Sequence, residues 1–215
     1  MIIFGVRAPL VVDYEITAQR CGDPIAFGIS LGGNPRMMFT SRIVDLHDVT
    51  SEDLGSVLPC AFAPERRKAL ARMAVSRGFT LAESLIDPSA ILPPGFQMDR
   101  AGFINTAVVI GAGSFIGEGV LVNRSVSIGH HVVLDDWVSV GPGAVLSGNI
   151  RVGTRSMIGA GAVLQSDIRI GNDALIAAGS VVRKSVPDNH IASGNPARCV
   201  PRRPVPSTLG REGDE

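Results

Sequence analysis

The sequence predicts a mainly β chain, a three-sided parallel β-helix of six-residue repeats preceded by a small α/β unit. Three observations carry this. Every sixth residue from Ile86 to Val182 is Ile, Leu, Val or Met, without an insertion. Two positions before most of these steps stands a second apolar or small residue, such as Val108, Ser114, Val120, Val126, Ala144 and Ala162. Residues 1–83 lack the repeat and instead alternate apolar with amphipathic runs.

An unbroken fixed period is the signature of a repeat architecture, in which each unit buries its apolar face only by stacking on its neighbours. Side chains of a strand alternate between faces, so two inward residues flanking one outward residue mark a short strand with a core face. The residue just after many steps is Gly, Asn or Asp, types that tolerate a positive φ, and this assigns the sharp corner to that position. Three strand-corner units would close a triangular coil of about eighteen residues. Asn105 and Asn123 then stack at one corner, either as a structural ladder or as a binding pair.

In the first 83 residues, Met1–Val6, Ile25–Ser30 and Ser56–Phe62 read as strands, and Leu10–Cys21 and Arg66–Arg77 as helices around a parallel sheet. The first turn, Gly5 to Pro9, sits where a nucleotide-binding fold lets phosphate approach a helix N-terminus. Arg66, Arg67 and Lys68 follow Pro64 and Glu65 at a helix start, a second candidate anion contact. After Val182 the rhythm fails, and residues 187–198 read as a cap on the open end of the helix, which the strand edges there require. The domains expected are residues 1–83, residues 84–200 with the cap, and a loose tail over 201–215.

Composition narrows the function classes. Twenty basic residues balance twenty acidic ones, which gives no global field for nucleic acid or an anionic membrane. No stretch is long and apolar enough to span a bilayer and the N-terminus has no signal-peptide pattern, so a soluble cytoplasmic protein is expected. Cys21, Cys60 and Cys199 have no metal-type spacing and suggest no disulfide framework. Of four histidines, His47 reads as a loop residue and His190 as part of the cap. His130 and His131 differ, because they follow Ile128-Gly129 and therefore stand outside a corner with no core to fill. Histidine is the natural general base near neutral pH.

With these residues in place, the repeat resembles that of the hexapeptide-repeat acyltransferases, whose prism is left-handed. The stretch from Val122 to Trp137, followed by Gly143-Ala-Val-Leu-Ser-Gly-Asn149, is similar to a narrower group, the sialic acid O-acetyltransferases and UDP-amino-sugar N-acetyltransferases of bacterial glycan synthesis. Gly194-Asn-Pro-Ala-Arg198 resembles the signature that closes the group's β-helix. The resemblance implies a Rossmann-like N-terminal unit, a homotrimer, acetyl-CoA as co-substrate, no metal, and a small sugar substrate that can be nucleotide-linked. It implies catalysis by His130, with His131 where the group carries an acidic neighbour and Asp135 or Asp136 as substitutes for it. It places Ser139, Gly148, Ala160 and Ala178 at the coenzyme, with Ser139 in place of a second histidine; the candidates at the substrate, Gly5 and Arg7 of the first turn and Asn123 of the corner stack, come from the residues themselves. Two rivals belong to other classes: a non-catalytic scaffold that retains the fold, and a γ-type carbonic anhydrase, which needs three histidines on a metal.

Overall fold

The computed structural model describes residues 1–202. The N-terminal unit contains β1 (Ile2–Phe4), α1 (Val11–Arg20), β2 (Phe27–Ser30), β3 (Ile43–Asp45), β4 (Ser56–Pro59), α2 (Pro64–Ser76) and β5 (Thr80–Leu81). All its strand pairs are parallel and the order is β3-β2-β1-β4-β5. β1 is central and fully buried, hence its unbroken apolar run. Pro64 opens α2, where a missing N–H costs nothing. The expected strands and helices are all present, whereas β3 and β5 are too short and too mixed in polarity to stand out in the sequence.

From Leu85 the chain coils into a prism whose strands are two residues long. The first face contains Gln97–Met98, Phe115–Ile116, Val133–Leu134, Arg151–Val152 and Arg169–Ile170. The second runs from Leu85–Ile86 through Phe103–Ile104, Leu121–Val122, Ser139–Val140, Met157–Ile158 and Leu175–Ile176 to a terminal hairpin. Val109–Ile110, Ser127–Ile128, Val145–Leu146, Val163–Leu164 and Val181–Val182 make the third. Parallel pairing of Phe115 with Val133 and of Leu121 with Ser139 fixes the eighteen-residue coil. One apolar cluster fills the prism with the residues of the six-step and of the position two before it.

The corners correct the sequence expectation. Positive φ falls on the third residue after each aliphatic step from Leu92 to Ile176, as at Ala107, Ser125, His131, Trp137 and Asn149, and not on the first. The glycines at the first position serve close approach instead. A Cβ on Gly129 would stand 2.7 Å from the Ser147 carbonyl carbon of the next coil, and one on Gly141 would stand 2.6 Å from the Ala160 nitrogen. The cap forms as a hairpin of His190–Gly194 and Ala197–Pro201 against Leu175–Ile176. Most of the expected tail, residues 203–215, lies outside the described residues.

The N-terminal unit sits on the early coils of the second face, burying the outward side chains Leu85, Phe103, Leu121 and Ser139. Tyr14 of α1 packs on Phe103 with ring centroids 4.0 Å apart. Thr17 and Arg20 reach the buried Asp87, and Asp13 accepts from Asn105 and Arg124.

Candidate active site

The corner pair His130–His131 is exposed on the edge where the third face turns into the first. Its backbone is fixed by the coils on either side: His131 N–H donates to Ala112 O at 2.9 Å and Asn149 N–H donates to His130 O at 3.0 Å. The His130 ring lies over Gly148 so closely that a Cβ there would stand 2.6 Å from its Cε1 and Nε2. Gly148 is thus the seat of the histidine, a role no side chain could share. Asp135 and Asp136 do not reach the pair. Asp135 is held by Arg151 at 2.9 and 3.0 Å, and Asp136 accepts from the Glu118 amide on the next edge.

Ala160 and Ala178 are exposed on a different edge, where the second face turns into the third. They stack above Arg124 and Pro142, with Gly161 N–H on Pro142 O and Gly179 N–H on Ala160 O. In the two coils above Pro142 this edge reads Gly159-Ala160-Gly161 and Ala177-Ala178-Gly179, nothing larger than a methyl, which leaves the backbone there open to a slender ligand. One chain therefore keeps the histidine edge and the alanine edge apart, on opposite sides of the third face. That face is apolar on its outside: Ile91, just before it, is 65% exposed, and Val109 and Val145 are 41% and 40% exposed.

Two expected contacts are structural instead. Ser139 is fully buried beneath the N-terminal unit, where its hydroxyl donates to Phe62 O at 2.6 Å and accepts from Arg67 at 2.9 Å. It cannot touch a ligand on the prism surface. Asn123 is buried too, and its Oδ1 accepts from Asn105 at 3.0 Å and from the Arg124 amide at 2.8 Å. The asparagine ladder is the alternative that holds.

Gly5 and Arg7 lie at the C-terminal ends of the parallel strands, beside β1 and β4, where open α/β sheets bind ligands. Gly5 has φ +91° and lines a 160 Å³ cavity with Arg7, Leu31, Cys60 and Arg66. Beside it, sharing Ala8 and Arg66, lies a 560 Å³ cleft bounded also by Pro9, Arg36, Phe62 and Ala63. Arg66 borders both spaces, Arg7 the smaller and Arg36 the larger. Arg36 and the loop Gly32-Gly33 before it were not singled out in the sequence, although both glycines have positive φ and Gly33 admits the Arg7 side chain.

The basic trio of α2 divides three ways. Arg66 faces the cleft, Lys68 borders Trp137 and Glu118, and Arg67 enters the junction. Arg67 is completely buried and donates to the carbonyls of Ala61, Phe62, Gly119, Trp137 and Val138 and to Ser139 Oγ. Burial pulls its pKa down to about 10, so it stays a cation at neutral pH. The neighbouring Cys60 thiol is pushed up to about 12 by burial and is unreactive.

Comparison with known proteins follows this geometry. The bacterial transferase hexapeptide (six repeats) family matches residues 149–184. A perosamine N-acetyltransferase from Caulobacter crescentus, solved as a histidine-to-asparagine mutant with CoA and GDP-perosamine, is 25% identical, with 93% of this chain and 95% of that one covered and a TM-score of 0.85. The chain shares the architecture of that sugar acetyltransferase. The acetyltransferase domain of PglB from Neisseria gonorrhoeae, solved with acetyl coenzyme A, shows the same architecture at 25% identity and a TM-score of 0.80, covering 93% and 98% of the two chains. WeeI from Acinetobacter baumannii, at 20% identity and a TM-score of 0.73 over 93% and 98%, supports the fold alone. No curated protein matches the chain in sequence.

Proposed function

We propose that the protein transfers an acetyl or similar acyl group from acyl-CoA to an amine or hydroxyl of a nucleotide-linked sugar, in bacterial glycan synthesis. The observation that carries this is an exposed, backbone-fixed histidine on a prism edge, in a chain that aligns over 93% of its length with an acetyltransferase solved with CoA and a nucleotide sugar.

His130 is the general base. Its Nε2 takes the proton of the acceptor group as that group attacks, and later returns it to the departing sulfur. The bound coenzyme supplies a reactive acyl thioester. Ala160 and Ala178 fit its slender arm, because nothing on their edge keeps a chain from lying against the backbone. The two neighbouring cavities, one lined by Arg7 and Arg66 and the other by Arg36 and Arg66, fit a diphosphate, which guanidinium groups recognise through paired hydrogen bonds.

The separation of the two edges within one chain supports a homotrimer, in which the histidine edge of one copy faces the alanine edge of the next. The exposed Ile91, Val109 and Val145 supply an apolar surface for such contact. No helix among the described residues is long and apolar enough to cross a membrane, in keeping with a cytoplasmic enzyme. Within one chain, no group of three or more His, Cys, Asp or Glu among the described residues gathers as a metal site.

The test is thiol release from acetyl-CoA across a panel of GDP- and UDP-linked amino sugars. Turnover with at least one of them is expected, and His130→Ala should lower it by roughly 10²- to 10⁴-fold with the oligomer intact. CoA binding without turnover on any acceptor would favour the scaffold reading.

A further inference from the structure

The two rings of the corner pair meet through their Nδ1 atoms, 3.0 Å apart. Their centroids are 5.2 Å apart and their planes nearly perpendicular, at 83°. The centroid separation exceeds the nitrogen separation by about two ring radii, so each Nδ1 points along the line between the rings. The contact is built from both sides: His130 is seated on Gly148, and His131 on Gly113, where a Cβ would stand 2.9 Å from its Cδ2. His131 itself holds φ +54°, which aims its ring back at its neighbour.

Two imidazole nitrogens at this distance share one proton, one donating and the other accepting. In the neutral pair, the ring that donates from Nδ1 keeps its lone pair at Nε2, and the accepting ring carries its proton at Nε2. A base acting through Nε2 of His130 therefore requires His130 to be the donor.

We propose that His131 is a positioning residue that holds His130 in the Nδ1–H tautomer by accepting that proton at its own Nδ1, so that the two histidines act as a dyad with His130 Nε2 free for the acceptor's proton. This rests on the reading of His130 as general base. When Nε2 takes up the acceptor's proton, the shared proton stays on His130 Nδ1 and the imidazolium is stabilised by the His131 lone pair. The proton then leaves from Nε2 to the thiolate, and the dyad returns to its starting state. The contact keeps one geometry in both states, and a neutral ring does the orienting that a carboxylate would otherwise do. Asp135 and Asp136 take no part, being engaged by Arg151 and the Glu118 amide.

The experiment combines kinetics of the full-length protein with imidazole nitrogen spectra of ¹⁵N-histidine-labelled protein at a pH where the pair is neutral. His131→Gly removes the ring at a backbone conformation glycine adopts freely, and should lower kcat by about 10- to 100-fold while both KM values stay within about threefold. His131→Asp and His131→Asn tolerate the same backbone and restore an acceptor oxygen, so they should recover much of the loss. The spectra should show His130 protonated at Nδ1 and His131 at Nε2. A His131→Gly enzyme with kcat within about twofold of the parent, or His130 found protonated at Nε2 with His131 donating, overturns the proposal. If His130→Ala itself keeps full turnover, the base reading falls and the dyad with it. If His130→Ala is inactive and His131→Gly is not, the dyad alone falls.

Discussion

The prism and the N-terminal unit reach order by different means. In the prism every coil repeats the same two inward positions, and most add a close glycine contact to the next coil, so each coil is held by its immediate neighbours. The N-terminal unit, and above all its seat on the prism, depends on single residues far apart in sequence. Arg67, with the Ser139 hydroxyl, ties the loop at Ala61–Phe62 to Gly119 and to Trp137 through Ser139. The prism thus supplies a rigid histidine edge, while the position of the arginine cleft relative to it hangs on a few buried polar contacts. Damage to the first should stay local. Damage to the second should move one half of the site against the other.

The sharpest way to break this contrast is Arg67→Ala, which leaves its buried acceptors unpaired and should cost on the order of 3–5 kcal/mol. Calorimetry should show the N-terminal unit melting before a largely unchanged prism. A single transition in which both parts fall together would show that the prism depends on its partner. Gly141→Ala is the converse, since its Cβ meets the Ala160 backbone; it should cost roughly 1–3 kcal/mol and lower the prism transition instead.

Smaller effects sharpen the division of labour. Replacing Arg36 and Arg66 together by Ala should raise KM for the nucleotide sugar about tenfold or more, with KM for acetyl-CoA and both transitions nearly unchanged. Asn105→Ala removes one rung of the ladder and its contact to Asp13, a loss of about 1 kcal/mol visible in the same melts. Asp87 gives the least effect and a pH signature. Burial pushes its carboxyl up, but hydrogen bonds from Ser89 and Thr17 and the charge of Arg20 outweigh this and hold it below the usual carboxylate range. Its stabilisation is present above the unfolded pKa of roughly 4 and is lost as pH falls through the lower folded value. Acid should therefore loosen the junction first, and Asp87→Asn should blunt that response.

What could be read from the sequence follows the same line. The prism was legible because its determinant is periodic, and a period can be seen in one chain without coordinates. The histidine corner was legible because a polar pair stood where the repeat leaves no core to fill. The conformation of the corners was not, because the Gly that follows many of the aliphatic steps serves close approach between coils, and sequence alone does not separate that from a positive φ. Ser139 misled for a related reason: its place in the repeat gives the face it points to, but not that the N-terminal unit covers that face. Arg67 was hidden between Arg66 and Lys68, where three adjacent basic residues look alike until the helix aims them in three directions. Arg36 had no pattern to reveal it, since it reaches the cleft only through the course of the Gly32-Gly33 loop.

In the function proposed above, the site is completed between copies, the histidine edge of one meeting the alanine edge of another. Complementation tests it most directly. His130→Ala and Ala178→Trp should each be inactive alone, and oligomers re-formed from an equal mixture should regain about one quarter of the parent activity, since that share of interfaces pairs an intact histidine edge with an intact alanine edge. A mixture as inactive as its components would place both edges of each site in one chain and contradict the account.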